Sequence, residues 1–146
     1  MKVAIVSSFL KRQIGGTEIN TLLLLDNLSK RMDLMNWSAD RAFPHLPTKA
    51  LLLGNRILDQ ILAKKLFNDL KPTKIDLLHA QDTYIAKAAQ IVAQKLNLPL
   101  IVSVHNNAQT PPALMPWFLK PFFQARDKTI QRAVKSADFI ICNSLF

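Results

Sequence analysis

A pair of adjacent glycines lies in the turn after the first apolar run of this chain, in the sequence Gly15-Gly16-Thr17-Glu18. Glycine lets a ligand approach the backbone closely, and the free N–H groups and dipole of a helix N-terminus attract an anion such as a diphosphate. The same pair also suits an ordinary turn. Glu18 in turn suits the first turn of a helix, where its charge interacts favourably with the dipole. The segment is a candidate phosphate site with an acidic residue beside it.

Polar residues also follow the later apolar runs. They form the segments His79-Ala80-Gln81-Asp82-Thr83-Tyr84, His105-Asn106-Asn107 and Asn143-Ser144. In an open parallel sheet, ligands bind outside the carboxyl ends of the strands, which is also where the glycine turn lies. A histidine at a strand end is often only packed or hydrogen-bonded. Two of the three histidines at equivalent positions nevertheless favour a shared site.

Several familiar chemistries have no signature in this sequence. The glycine turn is not the G-x-G-x-x-G fingerprint, which argues against a nicotinamide or flavin cofactor. No spacing of cysteine, histidine and carboxylate residues indicates a metal site, and no G-x-S-x-G turn is present. We therefore expect no metal and no cofactor.

Four short, continuous apolar runs predict the strands that position these residues. They are Val3–Ser7, Ile75–His79, Leu100–Val104 and Phe139–Cys142. Continuous runs are typical of parallel strands buried on both faces. Helical periodicity is found over Thr17–Arg31, Ala50–Leu70, Thr83–Leu96 and Phe118–Val134, the last with a break expected near Pro121. Alternation of strands and helices predicts an α/β fold, a Rossmann-like parallel sheet flanked by helices.

Two regions depart from this pattern. Between Met32 and Thr48 no strong strand is evident, so the second strand of the sheet is weak, shifted or missing. The chain stops at Phe146, directly after a strand, where a helix would normally cover the sheet. From this we expect a single, incomplete domain.

Composition limits the partners and the location. The formal charge is +9 over 146 residues, which suits either a solvated surface or an anionic partner such as phosphate or an acidic membrane. The chain has one cysteine, Cys142, in an apolar run, which predicts a buried thiol in a reducing compartment. It lacks a signal peptide and an apolar stretch of about 20 residues. We expect a cytoplasmic protein, either free or peripheral on the inner face of a membrane.

The segments described so far occur in an order that resembles glycosyltransferase family 4. The matching segments are Met1–Val6, Gly15–Glu18, Leu22–Arg31, Ile75–Asp82, Pro99–Asn106 and Ala137–Ser144. The resemblance covers most of the chain and implies the acceptor-side N-terminal domain of a GT-B enzyme, spanning residues 1–146. Two features of the family are not recognisable: the segment after the first helix and the C-terminal donor domain.

The resemblance implies a retaining, metal-independent hexosyltransferase that moves a sugar from a nucleotide-sugar donor to a glycan or lipid-linked acceptor. By this resemblance, Gly15 and Gly16 approach the donor diphosphate and His105 supports the reacting sugar. It also places acceptor-side residues at Glu18, His79, Asp82, Tyr84, Asn106 and Ser144. Without the donor domain we expect the fragment to be inactive.

Other interpretations of the sequence stay open. One alternative is a non-catalytic α/β module that binds a phosphate-bearing ligand at the glycine turn. Nucleic-acid binding is suggested only by the charge, since no recognition helix or RNA-binding motif is present, and we expect no nucleic-acid partner. The aromatic segment from Leu114 to Phe123 suits a membrane interface, although its prolines favour a role in the core or in the acceptor cleft.

Overall fold

The computed structural model describes residues 1–11, 16–47, 55–105 and 120–142, without the side chains of Lys120, Phe122 and Phe123. The strands are β1 (Lys2–Ser7), β2 (Asp33–Ser38), β3 (Leu77–Ala80), β4 (Leu100–Val104) and β5 (Phe139–Cys142). The helices are α1 (Gly16–Ser29), α2 (Ala39–Ala42), α3 (Arg56–Leu70), α4 (Ala86–Leu96) and α5 (Lys120–Lys135).

All five described strands are parallel, in the order β2-β1-β3-β4-β5. The chain reverses direction across the sheet after β2. Right-handed crossovers therefore place α1 on one face and α3, α4 and α5 on the other. This arrangement confirms the predicted Rossmann-like α/β fold.

The main core lies between the sheet and the layer formed by α3, α4 and α5. Ala4, Val6, Leu78 and Val102 face these helices and are buried. Side chains alternate between the two faces along a strand. His79, Ser103 and the other residues at alternating positions therefore point to the opposite face, the one that α1 covers.

The second strand, which the sequence left in doubt, is present as β2. It pairs with β1 over six residues, from Lys2 with Asp33 to Ser7 with Ser38. Within the described sheet it is an edge strand, so exposed polar residues such as Asn36 are tolerated there. The indole Nε1 of Trp37 donates to Asp69 at 2.9 Å, which fixes β2 against α3. An edge strand need not have the continuous apolar run that marks a central one, and β2 does not have it.

The helices differ from the sequence prediction mainly at their starts. Residues 83–85 form a turn before α4, because the Asp82 carboxylate accepts hydrogen bonds from the N–H groups of Tyr84 and Ile85. Pro121 lies in the first turn of α5, where its missing N–H would have no partner within the helix, and does not break it. The predicted helical residues 50–54 and 118–119 lie outside the described part.

The expected burial of Cys142 is wrong. All four residues of β5 are exposed, including Cys142 and Phe139, which is 66% exposed. β5 is the other edge of the described sheet and pairs only with β4. Its apolar side chains are therefore exposed to solvent and do not form part of the core.

Candidate functional site

His79 lies at the end of β3 in a buried, hydrogen-bonded position. Its Nε2 is 2.9 Å from Oγ of Ser103 on β4. The amide nitrogen of Gln81 lies 3.2 Å from Nδ1 and 3.0 Å from Nε2 of the same ring. Burial, and then the charge of His105, lowers the pKa of His79 to about 4. His79 is therefore a neutral imidazole near pH 7 and orders its neighbours rather than acting as an acid.

His105 directly follows β4 and is half-buried. It is two residues beyond Ser103, so the alternation of a strand directs it to the face that also carries His79. His105 is the second cause, after burial, of the lowered pKa of His79, which agrees with both residues lying on this face of neighbouring strands. The structure thus brings together the two histidines that the sequence singled out.

Asp82 links the carboxyl ends of β1 and β3. One carboxylate oxygen accepts from the Ser8 N–H at 2.6 Å, and the other accepts from the Ser8 hydroxyl at 2.8 Å. The second oxygen also accepts from the N–H groups of Tyr84 and Ile85, both at 3.0 Å. These contacts hold the loop after β3 against the loop after β1, so Asp82 shapes this edge.

Tyr84 is half-buried in the loop that Asp82 orders. Burial raises the pKa of its phenol, and the nearby charge of Asp82 raises it further. The Tyr84 hydroxyl therefore keeps its proton and remains a hydrogen-bond donor at neutral pH. Its carbonyl oxygen accepts a 2.8 Å hydrogen bond from Arg126 of α5.

Gly16 is the first residue of α1, and the space beside its Cα is open. A Cβ added there would meet no atom within 4 Å. Glu18 is in the first turn of the same helix and is only 7% exposed. Open space at a helix N-terminus is what close approach of an anion requires.

The remaining predicted residues, Gly15, Asn106 and Ser144, lie outside the described residues. So do Trp117 and Phe118 of the aromatic segment.

Asp40 is a buried positioning residue that the sequence did not reveal. Its carboxylate accepts from the N–H of Leu10 at 3.2 Å and of Lys11 at 2.8 Å, and its own N–H donates to the Ser8 carbonyl. These bonds order the start of the loop that leads from β1 towards Gly16. An aspartate shortly after a strand is the signal that could have found it, but β2 itself was not recognised.

A second overlooked contact is the ion pair of Asp59 and Arg126. Nη1 of Arg126 lies 2.9 and 2.8 Å from the two carboxylate oxygens, and both side chains are buried. The pair joins α3 to α5, and through the Tyr84 carbonyl it also joins the loop after β3. It therefore connects the helix layer to the candidate site.

Metal-binding clusters and membrane-spanning helices are both absent from the described residues. No group of three or more histidine, cysteine, aspartate or glutamate residues there could hold a metal ion. Within the same ranges, no helix is long and apolar enough to cross a membrane.

Fold and site together define an α/β protein with candidate site residues at the carboxyl ends of its parallel strands. The family model for glycosyltransferase family 4 matches residues 14–146, so the chain belongs to that family. Membership supports glycosyl transfer in general, with a sugar donor and an acceptor as substrates.

One solved structure similar to this chain is Smu.1420 from Streptococcus mutans UA159. The identity is 15% and the TM-score 0.46, over 99% of this chain and 87% of that one. Comparison with curated proteins gave no match.

Proposed function

We propose that this chain is the N-terminal, acceptor-side domain of a retaining GT-B hexosyltransferase. In this proposal the enzyme moves a sugar from a nucleotide-sugar donor to a glycan or lipid-linked acceptor. The observation that carries it is the meeting of His79 and His105 at the same sheet edge as the open N-terminus of α1. β1 and β4 are separated only by β3, so their ends lie about 10 Å apart, within reach of one sugar phosphate.

Gly15 and Gly16 are proposed to receive the donor diphosphate. The open space at Gly16 supports this role, since phosphate oxygens can approach the backbone N–H groups at the start of α1. Asp40 contributes indirectly by fixing the N–H groups of Leu10 and Lys11 in the preceding loop.

His105 is proposed to support the reacting sugar through positioning and electrostatic stabilisation. His79 is held neutral beside it and hydrogen-bonded to Ser103, so it limits the orientations open to the neighbouring ring. Fixed donors in a site with little water stabilise developing charge better than mobile water does. This is the physical basis that we propose for catalysis.

The acceptor side comprises Glu18, His79, Asp82, Tyr84, Asn106 and Ser144. Asp82 acts mainly by shaping the loop, because backbone and serine donors already engage its carboxylate. The Tyr84 hydroxyl, protonated at neutral pH, can donate to an acceptor oxygen.

A second α/β domain is proposed to complete the site by binding most of the nucleotide. In this view both domains are needed for sugar transfer, and the enzyme works in the cytoplasm or on the inner membrane face without a metal or cofactor. Family membership supports the partner domain.

The test is sugar transfer by the complete enzyme with His105→Ala. Loss of a fixed electrostatic donor typically lowers kcat by about a hundredfold or more. We expect a loss of that order with an unchanged melting temperature. His45→Ala is the matched control, because His45 is an exposed histidine in the turn after α2. Turnover that survives His105→Ala would remove this residue from the site.

Gly16→Val tests the phosphate site separately. The space beside Gly16 is open, so the larger side chain should not disturb folding. It should nevertheless block phosphate approach and weaken donor binding in the complete enzyme. Unaltered donor affinity would contradict the assignment, whereas donor binding without any transfer would favour a non-catalytic phosphate-binding module.

A further inference from the structure

A basic cleft lies between the N-terminal halves of α3 and α4 and the facing side of α5. Its volume is about 500 Å³, within the range of small-molecule sites. Four cationic side chains line it: Arg56 from α3, Lys87 from α4, and Arg126 and Arg132 from α5. The cleft lies in the helix layer, on the face opposite to His79 and Ser103.

The cations of this cleft are only partly compensated. Asp59 is the one carboxylate in the described lining, and it is bound to Arg126. Lys87 donates to the neutral side chain of Gln90 at 2.7 Å. Within the described ranges, no carboxylate pairs with Arg56, Lys87 or Arg132. Four cations against one carboxylate leave the lining with a net charge of +3.

Arg126 adds a second, independent sign of a ligand. Its side chain is 6% exposed and is fixed by bonds to Asp59 and to the Tyr84 carbonyl. Its Nε is buried and has no hydrogen-bond partner among the described residues. A buried donor without an acceptor is costly, and a bound oxyanion would supply that acceptor.

We infer that this cleft binds a phosphate group of a phosphate ester. A guanidinium is well suited to phosphate oxygens, and three further cations beside Arg126 match a dianion. The first turn of α3, which Asn55 caps, adds the positive end of a helix dipole. Ile91 adds an apolar side chain to the cleft wall, which the apolar part of a phosphate ester could contact.

The phosphate can come from a soluble ester or from a lipid headgroup. Ile57 and Ile61 of α3 are 71% and 48% exposed, beside Arg56 and Lys64 in an adjoining shallow depression. Exposed isoleucines next to cations also suit the surface of an anionic membrane. Both sources share the same recognition chemistry, so the experiment below separates them.

The test is a titration of the protein with inorganic phosphate, followed by ³¹P NMR, in parallel with Arg56→Gln/Arg132→Gln. Both arginines are exposed, so the variant should fold normally, as a thermal melt would verify. We expect saturable binding that the variant weakens about tenfold or more, because each charge-assisted contact is worth about that much.

The matched control is Lys74→Gln/Lys128→Gln, which removes the same two charges from exposed positions outside the cleft lining. It should bind phosphate like the unaltered protein. Equal weakening in both double variants, or no saturable binding at all, would overturn the inference, because either result leaves only non-specific attraction by the net charge.

Co-sedimentation with vesicles identifies the source of the phosphate. If vesicles of phosphatidylglycerol and phosphatidylcholine co-sediment the unaltered protein but not the arginine variant, the site binds a lipid headgroup. Phosphate binding that depends on the arginines without such co-sedimentation assigns it to a soluble ester. The readout is binding rather than sugar transfer, so the result is independent of the proposed function.

Discussion

At the scale of single residues, His79 shows how burial sets the chemistry of an ionisable side chain. The ring is enclosed by the sheet, bonded to Ser103 and close to His105. Protonation of His79 would place a charge in a poorly solvated position near His105, which is why its pKa falls to about 4. A neutral ring at physiological pH results.

This shift predicts a pH dependence of stability. In the unfolded chain a histidine has a pKa near 6.5. Below that pH the unfolded state therefore binds a proton that His79 in the folded state does not bind. Stability should therefore fall between about pH 6.5 and pH 4. We expect His79 to contribute a loss of roughly 2–3 kcal/mol in the free energy of unfolding between pH 7.5 and pH 4.5, measured by urea denaturation.

The control for this prediction is His79→Gln, which keeps a hydrogen-bonding side chain but cannot titrate. Its stability should change less over the same pH interval, by about the amount attributed to His79. An identical pH profile for the variant and the unaltered chain would show that His79 is not the group responsible.

At the scale of elements, α3 and α5 are joined by the buried pair of Asp59 and Arg126. A buried ion pair is weak evidence for net stability, because removing two charges from water offsets most of their attraction. Removing only one member of the pair is destabilising, because the remaining charge is left buried without its partner. The helix layer therefore depends on both members being present together.

A double-mutant cycle tests this dependence. Asp59→Leu should lower the free energy of unfolding by about 3–5 kcal/mol, because it leaves Arg126 buried without its carboxylate. Adding Arg126→Met should recover most of that loss. The exposed pair of Asp26 and Lys30 provides a comparison, and Asp26→Asn should cost less than about 0.5 kcal/mol. Additive effects at positions 59 and 126 would argue against their coupling.

At the scale of the whole molecule, the two edges of the described sheet differ in composition. β2 carries polar residues and is fixed to α3 by the bond from Trp37 to Asp69. β5 is apolar in sequence, yet Phe139, Ile140 and Ile141 are all exposed. The apolar composition of an edge strand is therefore not enough to bury it.

The exposure of β5 predicts that Cys142 reacts without unfolding. It is the chain's only cysteine and is exposed. We expect a colorimetric thiol reagent to modify one equivalent in native buffer, at a rate close to that in urea. Cys142→Ser gives the blank. Protection of the thiol until denaturant is added would instead support the buried position that the apolar run suggested.

Much of this fold could be predicted from the sequence because most of its parallel strands have continuous apolar sequences. β1, β3, β4 and β5 were found in this way to within a few residues. β2 was missed because an edge strand need not be apolar throughout. For the candidate site, the sequence indicated the strand-end residues, since loops after parallel strands converge at one edge.

The sequence by itself determined the α/β class with four of the five described strands, the edge where His79 and His105 lie, and the membership that the family match confirms. These properties depend on local periodicity and on residues close together in the chain. Only the tertiary structure decided that His79 and His105 are close, that Asp82 ties β3 to β1, and that Arg126 reaches Asp59 across 67 residues. Such contacts follow from strand order and helix packing, which bring together residues that no local pattern connects.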